Sequence, residues 1–343
     1  MRFLLLGDAS SYHTHRWAES IAGEGHDVHI VSLEPPIRGN VVPFRPPPVG
    51  KFKYVASVPG IRKLARGLEP DVIFAHFLPN YGLIGTFLRA RVKVLALWGS
   101  DILHWAFKTP LHRVLAGRIL RGYDLIVVDA NFVVDVLKRN FNVPPERVRV
   151  IPFGVPKEVR DLGLRDLPEE PLHFVSMRRH EPLFNHTEIL KFLSMLKNDY
   201  PIRVTYLQSG SLSREIERYA SDMGLDVRFT GRIGYSGYLE VLRSAHFCIS
   251  VPDRDTSSVS LLECMALGGV PIVSDIPANR EWVDEERGIL TPPDADEMYA
   301  RFKERFNFRW WKRAREANRS LILQRCNWEE NLRRFLSTVE SYL

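Results

Sequence analysis

One stretch of the chain decides the fold: residues 250–273 read SVPDRDTSSVSLLECMALGGVPIV. A buried strand ends at Val251, a loop of small polar residues follows, and a helix begins near Ser258. Gly268 and Gly269 then end the helix, and the apolar run after them predicts a second strand. A strand, a crossover helix and a strand in this order are typical of a parallel sheet.

The same alternation of short apolar runs with longer helical periods extends over most of the chain. In the second half it predicts strands at 173–177, 203–208, 227–230, 247–251 and 271–274 and helices at 186–198, 214–223, 237–245 and 260–267. In the first half it predicts strands at 3–6, 28–33, 72–75, 92–97, 125–128 and 148–151 and helices at 15–22, 61–68, 111–120 and 132–140. Two such series predict an α/β architecture of two Rossmann-like, doubly wound domains facing each other across a cleft.

Two proline-rich segments interrupt the alternation. Between residues 34 and 53 six prolines exclude a regular helix, so a loop with a short edge strand at 41–44 is predicted. The run PFGVP at 152–156, followed by a polar stretch, marks a domain boundary. We therefore expect one domain at 1–155, a second at 156–325, and a C-terminal helix at 326–343 that packs back on the first domain.

Composition narrows the class of protein. The 343 residues are 45% hydrophobic and 26% charged, as in globular proteins. No apolar run reaches the roughly 18 residues of a membrane-spanning helix, and the N-terminus does not resemble a signal peptide, which predicts a cytoplasmic protein. The widely spaced Cys248, Cys264 and Cys326 are predicted to be reduced core residues, with neither a disulfide nor a zinc site.

Charge is distributed unevenly between the two halves. Residues 1–155 carry 20 Lys and Arg against 12 Asp and Glu, whereas the rest of the chain is nearly neutral. A basic first half favours contact with anions such as phospholipid headgroups, a phosphorylated acceptor or nucleic acid. A solvated basic surface would give the same pattern.

The helix that begins near Ser258 is the strongest candidate for a binding site. Its first N–H groups have no partner within the helix and the helix dipole adds positive potential, so a diphosphate fits this end. Glu263, about one turn into the helix, can accept hydrogen bonds from a ribose diol. Asp253-Arg254-Asp255 also spells a metal-binding DxD pattern, but the helix already supplies positive potential, so we expect no metal and no cofactor.

This stretch resembles the donor motif of glycosyltransferase family four: an acidic residue, seven others, Glu, a helix of small residues, and Gly-Val-Pro-Ile-Val. That family has the GT-B fold, uses nucleoside diphosphate sugars and retains the configuration of the sugar. The resemblance implies that Asp255, a Glu in most members, lies near hydroxyls of the donor sugar and that Glu263 holds the ribose. It also implies that the sugar and phosphates approach the backbone amides of Ser257, Ser258, Val259 and Ser260.

Further matches extend the resemblance over nearly the whole chain. Arg178 matches an Arg that binds the diphosphate in the family and can offset charge on the leaving group. Phe184 stands where the family has a second cation, a Lys. Ile233 matches the residue whose backbone contacts the nucleotide base, a contact that does not distinguish uracil from guanine. The candidates for the missing second cation are Arg179, Arg254, His180 and His186.

In the first half the loop after the first strand lacks the adjacent glycines that are usual in the family. Close approach to a phosphate or an acceptor would therefore depend on side chains, and Ser11, His13 and Arg16 are the candidates. His76, at the end of the third strand, is a weaker candidate and is predicted to be a half-buried structural histidine.

Trp98 stands where many members have a histidine near the transferred sugar. Because an indole cannot abstract a proton, either Asp101 or His104 acts as the base, or the departing phosphate oxygen receives the acceptor proton, as is thought for retaining members. The alternative for Asp101 is a buried cap of the following helix.

Together these observations predict a metal-independent, retaining hexosyltransferase that uses a UDP or GDP sugar. Its acceptor is a hydroxyl, on a lipid-linked molecule or a cell-surface glycan precursor, and the basic first half predicts peripheral contact with anionic membrane at the cytoplasmic face. Phe184 and Trp98 leave open a relative that only binds nucleotide sugars, and an epimerase on the same fold is a further alternative. No GxGxxG motif supports an oxidoreductase, and no reader motif supports nucleic-acid binding.

Overall fold

The computed structural model of the protein describes residues 1–37 and 41–343. The chain divides into two compact units: unit 1 comprises Met1–Pro152 and Glu330–Leu343, and unit 2 comprises Phe153–Glu329. Part of the predicted proline-rich loop, Arg38–Asn40, lies outside the described residues, as does the side chain of Lys51.

Unit 1 is built on a parallel sheet of strand order β2-β1-β3-β4-β5-β6. Its strands are β1 (Arg2–Leu6), β2 (Asp27–Val31), β3 (Val72–His76), β4 (Val92–Ala96), β5 (Leu125–Val128) and β6 (Val148–Val150). Its helices before residue 152 are α1 (Tyr12–Gly23), α2 (Lys53–Ala56), α3 (Val58–Leu68), α4 (Leu83–Thr86), α5 (Ser100–Leu103), α6 (Pro110–Arg121) and α7 (Asn131–Phe141).

Unit 2 is built on a second parallel sheet, of strand order β12-β11-β10-β7-β8-β9. Its strands are β7 (Leu172–Ser176), β8 (Ile202–Tyr206), β9 (Val227–Phe229), β10 (Phe247–Ser250), β11 (Val270–Ser274) and β12 (Ile289–Thr291). Its helices are α8 (Lys157–Asp161), α9 (His186–Leu196), α10 (Ser213–Asp222), α11 (Tyr235–Arg243), α12 (Val259–Ala266), α13 (Pro277–Arg280), α14 (Ala295–Arg305) and α15 (Phe308–Arg325). Short 3-10 or π turns lie at Gly50–Phe52, Phe77–Gly82, Trp105–Phe107, Pro145–Arg147 and Pro182–Phe184.

Several helix starts follow directly from capping side chains. Ser11, Thr109, Asp294 and Asn307 each precede a helix and accept a backbone N–H from its first turn. Such a cap satisfies one of the amides that the helix leaves unpaired and stabilises it by about 1 kcal/mol. These caps fix where α1, α6, α14 and α15 begin.

The two parallel sheets confirm the predicted α/β architecture, with two differences in detail. The sequence missed β12, whose three residues are too short to show a periodicity. The edge strand predicted at 41–44 is reduced to one bridge between Ile30 and Val41. Pro43 has no N–H to donate and three prolines follow at 46–48, so the pairing cannot continue.

The central strands are buried on both faces, which explains their nearly continuous apolar sequences. All five residues of β3, β7 and β11 are buried. Phe74 and Phe174 lie at the centres of their sheets, and burial of each side chain contributes about 2 to 3 kcal/mol. Among the helices of the described residues, none combines the length and the apolarity needed to cross a bilayer.

The last helix, α16 (Trp328–Glu340), carries the chain back to unit 1. The ring of Phe335 lies 4.9 Å from the rings of both Trp17 and Phe74, and the Asn331 amide donates to the carbonyl of Pro152. Helix α16 therefore completes the core of unit 1.

The cysteine prediction was wrong for two of the three residues. Cys248 and Cys264 form a disulfide, whereas Cys326 is free and buried. Strand β10 and the following helix α12 pack side by side, so their two cysteines lie only 6.5 Å apart at Cα despite a separation of 16 residues. A Cβ atom on Gly269 would lie within 2.7 Å of both sulfurs, which explains the glycine at that position.

Candidate active site

The strand order of unit 2 indicates where a ligand can bind. The chain begins at the centre of the sheet with β7, proceeds through β8 to β9, and returns to β10, which pairs with β7 on its other side. The segments that follow β7 and β10 diverge, and open α/β sheets bind ligands at the carboxyl ends of such strands. Residues 177–185 and 251–258 follow these two strands.

Helix α12 begins at the end of the loop after β10. Ser258 occupies the N-cap position, but its side chain makes no capping hydrogen bond. Its hydroxyl lies 2.9 Å from that of Ser260, and the buried Ser257 accepts the indole N–H of Trp282 at 3.0 Å. The loop is therefore fixed. The amides of Leu261 and Leu262 donate to the Ser258 carbonyl, which leaves those of Val259 and Ser260 as the amides that an anion can approach.

Arg178 connects this helix terminus to the loop. Its guanidinium donates one hydrogen bond to the Ser258 hydroxyl and another to the Asp255 carboxylate, where the N–O distance is 2.9 Å. Burial raises the pKa of Asp255, and the adjacent guanidinium of Arg178 opposes that rise. The structure thus brings together an arginine, an acidic residue and a helix terminus that the sequence singled out.

Phe184 fills the position at which a second cation was expected. Its buried ring lies 4.4 Å from the guanidinium carbon of Arg178, so it holds the arginine by a cation–π contact. Arg179, in contrast, is exposed and lies 3.5 Å from the Glu181 carboxylate, apart from the Arg178–Asp255 pair. Arg254 is exposed in the loop after β10.

Two histidine candidates cannot supply the missing charge at neutral pH. Burial lowers the pKa of His180, and it lowers the pKa of His186 to about 4. The Nε2 atom of His186 lies 2.9 Å from the Arg179 carbonyl, and Nδ1 of His180 lies 2.9 Å from the Ser213 hydroxyl. Both rings are therefore neutral supports of the loop after β7.

Glu263 is buried on α12 and is held by two tyrosines that the sequence analysis missed. The Tyr235 hydroxyl donates to its carboxylate at 2.6 Å, and Tyr238 also hydrogen-bonds to it. The two tyrosines lie in the first turn of α11, three residues apart, and Tyr235 is two residues after Ile233. That helical spacing next to a predicted base contact was the signal that could have revealed them.

Asp101, a predicted catalytic residue in unit 1, accepts hydrogen bonds from the backbone. It is fully buried, and its carboxylate accepts N–H groups from Trp98 and Leu78 at 3.0 Å and from Ile102 at 2.9 Å. Burial raises its pKa to about 6. Because three backbone amides occupy its oxygens, the geometry favours the capping role over the catalytic one.

A cluster of aromatic rings lies where β3 and β4 end. His13 stacks on Trp98 with 6.0 Å between ring centres, and His76 meets Trp98 edge-on at 5.2 Å. Burial lowers the pKa of His13 to about 4 and that of His76 to about 3, so both are neutral. The prediction that His76 is half-buried was wrong: it is buried, and its Nε2 has no hydrogen-bond partner among the described residues.

The other residues predicted for the first half differ in their positions. Ser11 caps α1 by accepting the N–H of His13, and Arg16 is buried within the same helix. His104 is exposed beyond the end of α5. The structure therefore groups Ser11, His13 and Trp98 and leaves His104 outside that group.

We expect the neutral His76 to make unit 1 sensitive to acid. In the unfolded chain it protonates below pH 6.5, but in the folded protein its pKa is about 3, so stability is lost as the pH falls between these values. Phe does not titrate. The His76→Phe variant should therefore lose about 1.4 kcal/mol less unfolding free energy than the wild type for each pH unit below 6.5. Urea unfolding of both proteins at pH 7 and pH 5 measures this difference, and equal losses would contradict it.

Two family models match this chain. "Glycosyl transferase 4-like" matches residues 2–130, and "Glycosyl transferases group 1" matches residues 173–305. Among curated proteins there is no significant match.

Solved structures share the fold over nearly their whole length. Sucrose-phosphate synthase from Thermosynechococcus elongatus has a TM-score of 0.83 at 15% identity and covers 99% of this chain and 98% of its own. HepE from Anabaena, in complex with UDP and glucose, has a TM-score of 0.81 at 14% identity over 99% and 100%. A glycosyltransferase from Rickettsia africae has a TM-score of 0.79 at 16% identity over 99% and 98%.

The first matched region contains β1 to β5 of the first sheet, and the second spans the second sheet and contains Arg178, Asp255 and Glu263. With both sheets and both family models in agreement, this chain belongs to the GT-B glycosyltransferases, in the group similar to family four.

Proposed function

We propose that this glycosyltransferase moves a hexosyl group from a UDP or GDP sugar to a hydroxyl acceptor, with retention of configuration. The convergence of Arg178, Asp255 and Ser258 at the N-terminus of α12 carries the proposal. Arg178 and the helix amides bind the diphosphate, Asp255 binds a sugar hydroxyl, and Glu263 binds the ribose. HepE, whose structures contain UDP-glucose or UDP with glucose, supports a nucleotide-sugar donor.

In the proposed reaction the bond between C1 of the hexose and the diphosphate oxygen breaks, and a bond from C1 to the acceptor oxygen forms. Negative charge develops on the diphosphate, and Arg178 and the α12 terminus stabilise it. The departing phosphate oxygen takes the acceptor proton, which is consistent with an Asp101 that is occupied by backbone amides. The anomeric configuration of the product, measured by NMR, tests retention.

A panel of UDP and GDP sugars tests the donor class directly. Incubated with the protein, the correct donor should release its nucleoside diphosphate, slowly with water and faster with a suitable acceptor. Binding of a nucleotide sugar without release from any donor would favour the binding-only alternative. Change of the sugar without release of the nucleotide would favour the epimerase.

Activity should persist in excess EDTA. In the proposed site the guanidinium of Arg178 and the helix terminus provide the positive charge that a divalent ion would otherwise supply. Initial rates with the best donor, with EDTA and then with added Mg²⁺ or Mn²⁺, measure this. A rate that collapses in EDTA and returns with the metal would contradict it.

We further propose that unit 1 makes peripheral contact with anionic membrane at the cytoplasmic face, where a lipid-linked acceptor would be found. Leu111 on α6 is 74% exposed, and Val114 lies one turn further on the same face, followed by Arg118 and Arg121. Exposed apolar side chains next to cations are typical of interfacial helices.

Vesicles containing anionic lipid should pellet the protein at low salt and release it at high salt, since each engaged cation contributes about 1 kcal/mol. The Leu111→Asp, Val114→Asp double variant should stay in the supernatant, because it places charge on the exposed face without touching the core. Phe87→Asp, at an exposed site elsewhere in unit 1, is the control. Equal pelleting of all three proteins would exclude α6 as the contact.

A further inference from the structure

A cavity of about 500 Å³ lies in unit 1, at the amino ends of β3 and β4. Asp71 and Arg91 line it and directly precede the two strands. The carboxyl ends, where open α/β sheets bind their ligands, are at the opposite edge of the sheet, and a strand of five residues spans roughly 17 Å. The cavity is therefore separate from that edge, and its volume is within the range of small-molecule sites.

Four arginines line this cavity, and all four are exposed. Arg62 and Arg66 are four residues apart on α3, so their side chains leave the same face of the helix. Arg89 and Arg91 belong to the segment that leads into β4. Like charges four residues apart destabilise a helix, so the stability of α3 does not explain the first pair.

The arginines have no counterions in the wall of the cavity. Within residues 1–37 and 41–343, Arg62, Arg66 and Arg89 form no ion pair and no side-chain hydrogen bond. Arg91 donates to the carbonyl of Leu343 at 2.8 Å. Three guanidinium groups can therefore donate to a ligand without breaking a contact of the fold.

Two carboxylates also line the cavity, but they do not neutralise it. Asp71 accepts the backbone N–H of Arg2 at 2.8 Å, and Glu69 pairs with no cation of the described chain. The Arg2 guanidinium donates to the Leu68 carbonyl at 2.7 Å, so the negative end of α3 already has a cation. Four guanidinium groups against two carboxylates leave two positive charges in excess.

The cavity also has an apolar part. Ala65 and Leu88 line it and are only 5% and 3% exposed. Next to such a surface the effective dielectric constant is lower than in water, so charged hydrogen bonds are stronger. Guanidinium groups bind phosphate through two parallel hydrogen bonds, which makes arginine the preferred side chain for this anion.

We propose that this cavity binds a small ligand whose phosphate groups carry two or more negative charges. Arg62 and Arg66 bind it from α3, and Arg89 binds it from the segment before β4. The site is distinct from the proposed donor site and does not depend on it. The concave shape favours a dissolved ligand, and a phosphate monoester headgroup of a lipid has the same chemistry.

Phenylglyoxal, which modifies exposed arginines, can locate the bound anion on the intact protein. With inorganic pyrophosphate at about ten times its Kd, modification of Arg62, Arg66 and Arg89 should slow about tenfold, as mass spectrometry of the peptides measures. Arg214, exposed on α10 of unit 2, should react at an unchanged rate.

Two double variants test which charges matter. In Arg62→Gln, Arg66→Gln the same protection of Arg89 should require at least about tenfold more pyrophosphate, because charge-assisted donors are lost. Lys138→Gln, Arg139→Gln removes the same charge from exposed positions of α7 in the same unit, and it should behave like the wild type.

Vesicles of phosphatidylcholine, with and without phosphatidic acid, distinguish the source of the phosphate. Protection by pyrophosphate supports a dissolved ligand, and protection by the phosphatidic acid vesicles alone supports a headgroup. If neither protects the three arginines more than Arg214, or if both double variants weaken the protection of Arg89 equally, the cavity is not a phosphate site.

Discussion

Replacing Arg178 by Gln should lower kcat/KM by a factor of about 100 to 1,000, the range found when one preorganised donor to a developing charge is removed. The glutamine amide cannot supply the charge of the guanidinium, and it breaks the ion pair with Asp255. The half-buried Asp255 carboxylate would then lose the guanidinium that opposes the effect of burial, so its pKa should rise further.

Steady-state kinetics with the donor identified by the panel measure this effect. Arg214→Gln is a matched control, because that arginine is exposed on α10 of the same unit. It should change kcat/KM by less than about twofold, as expected for an isolated surface charge. Similar losses in the two variants would show that only the net charge of the unit matters and would remove Arg178 from the site.

Replacing Asp101 by Ala should lower the free energy of unfolding by roughly 3 to 5 kcal/mol, because several buried backbone amides lose their acceptor together. The carboxylate connects the N–H groups of Leu78, Trp98 and Ile102, which lie after β3, after β4 and in α5. Urea unfolding measures the loss, and Asp135→Ala, at an exposed position of α7, should change the value by less than about 0.5 kcal/mol.

Asp101→Asn separates support of the backbone from catalysis. The amide keeps one acceptor oxygen in nearly the same shape, so we expect a smaller loss of stability and a kcat per folded molecule close to that of the wild type. A well-folded Asp101→Asn protein without turnover would restore Asp101 as a base.

Most of the fold could be predicted from the sequence because the central strands are buried on both faces. Such strands appear as uninterrupted apolar runs, and those ending at Leu6, Val128 and Ser274 end where they were predicted to end. The short strand β12 and the turn at Phe77–Gly82 show no such signal, since their positions depend on tertiary packing.

Individual side-chain roles were harder to predict than strands. The resemblance to family four assigned Arg178 and Asp255 to one donor site, and the structure pairs them. It could not show that Glu263 would meet Tyr235, or that Cys248 would meet Cys264, since these contacts depend on how two helices and a strand pack. Periodicity determines which face of an element is buried, but it does not determine what that face touches.

The return of α16 to unit 1 has a consequence for synthesis on the ribosome. The carbonyl of Pro152 receives its partner, the Asn331 amide, only after another 179 residues have been made. Until then Trp17 and Phe74 lack the ring of Phe335 that covers them, whereas unit 2 is continuous in sequence and can close first. The nascent chain therefore carries an incomplete apolar core while residues 153–331 are made. During that interval the exposed apolar surface of unit 1 is a binding site for a chaperone.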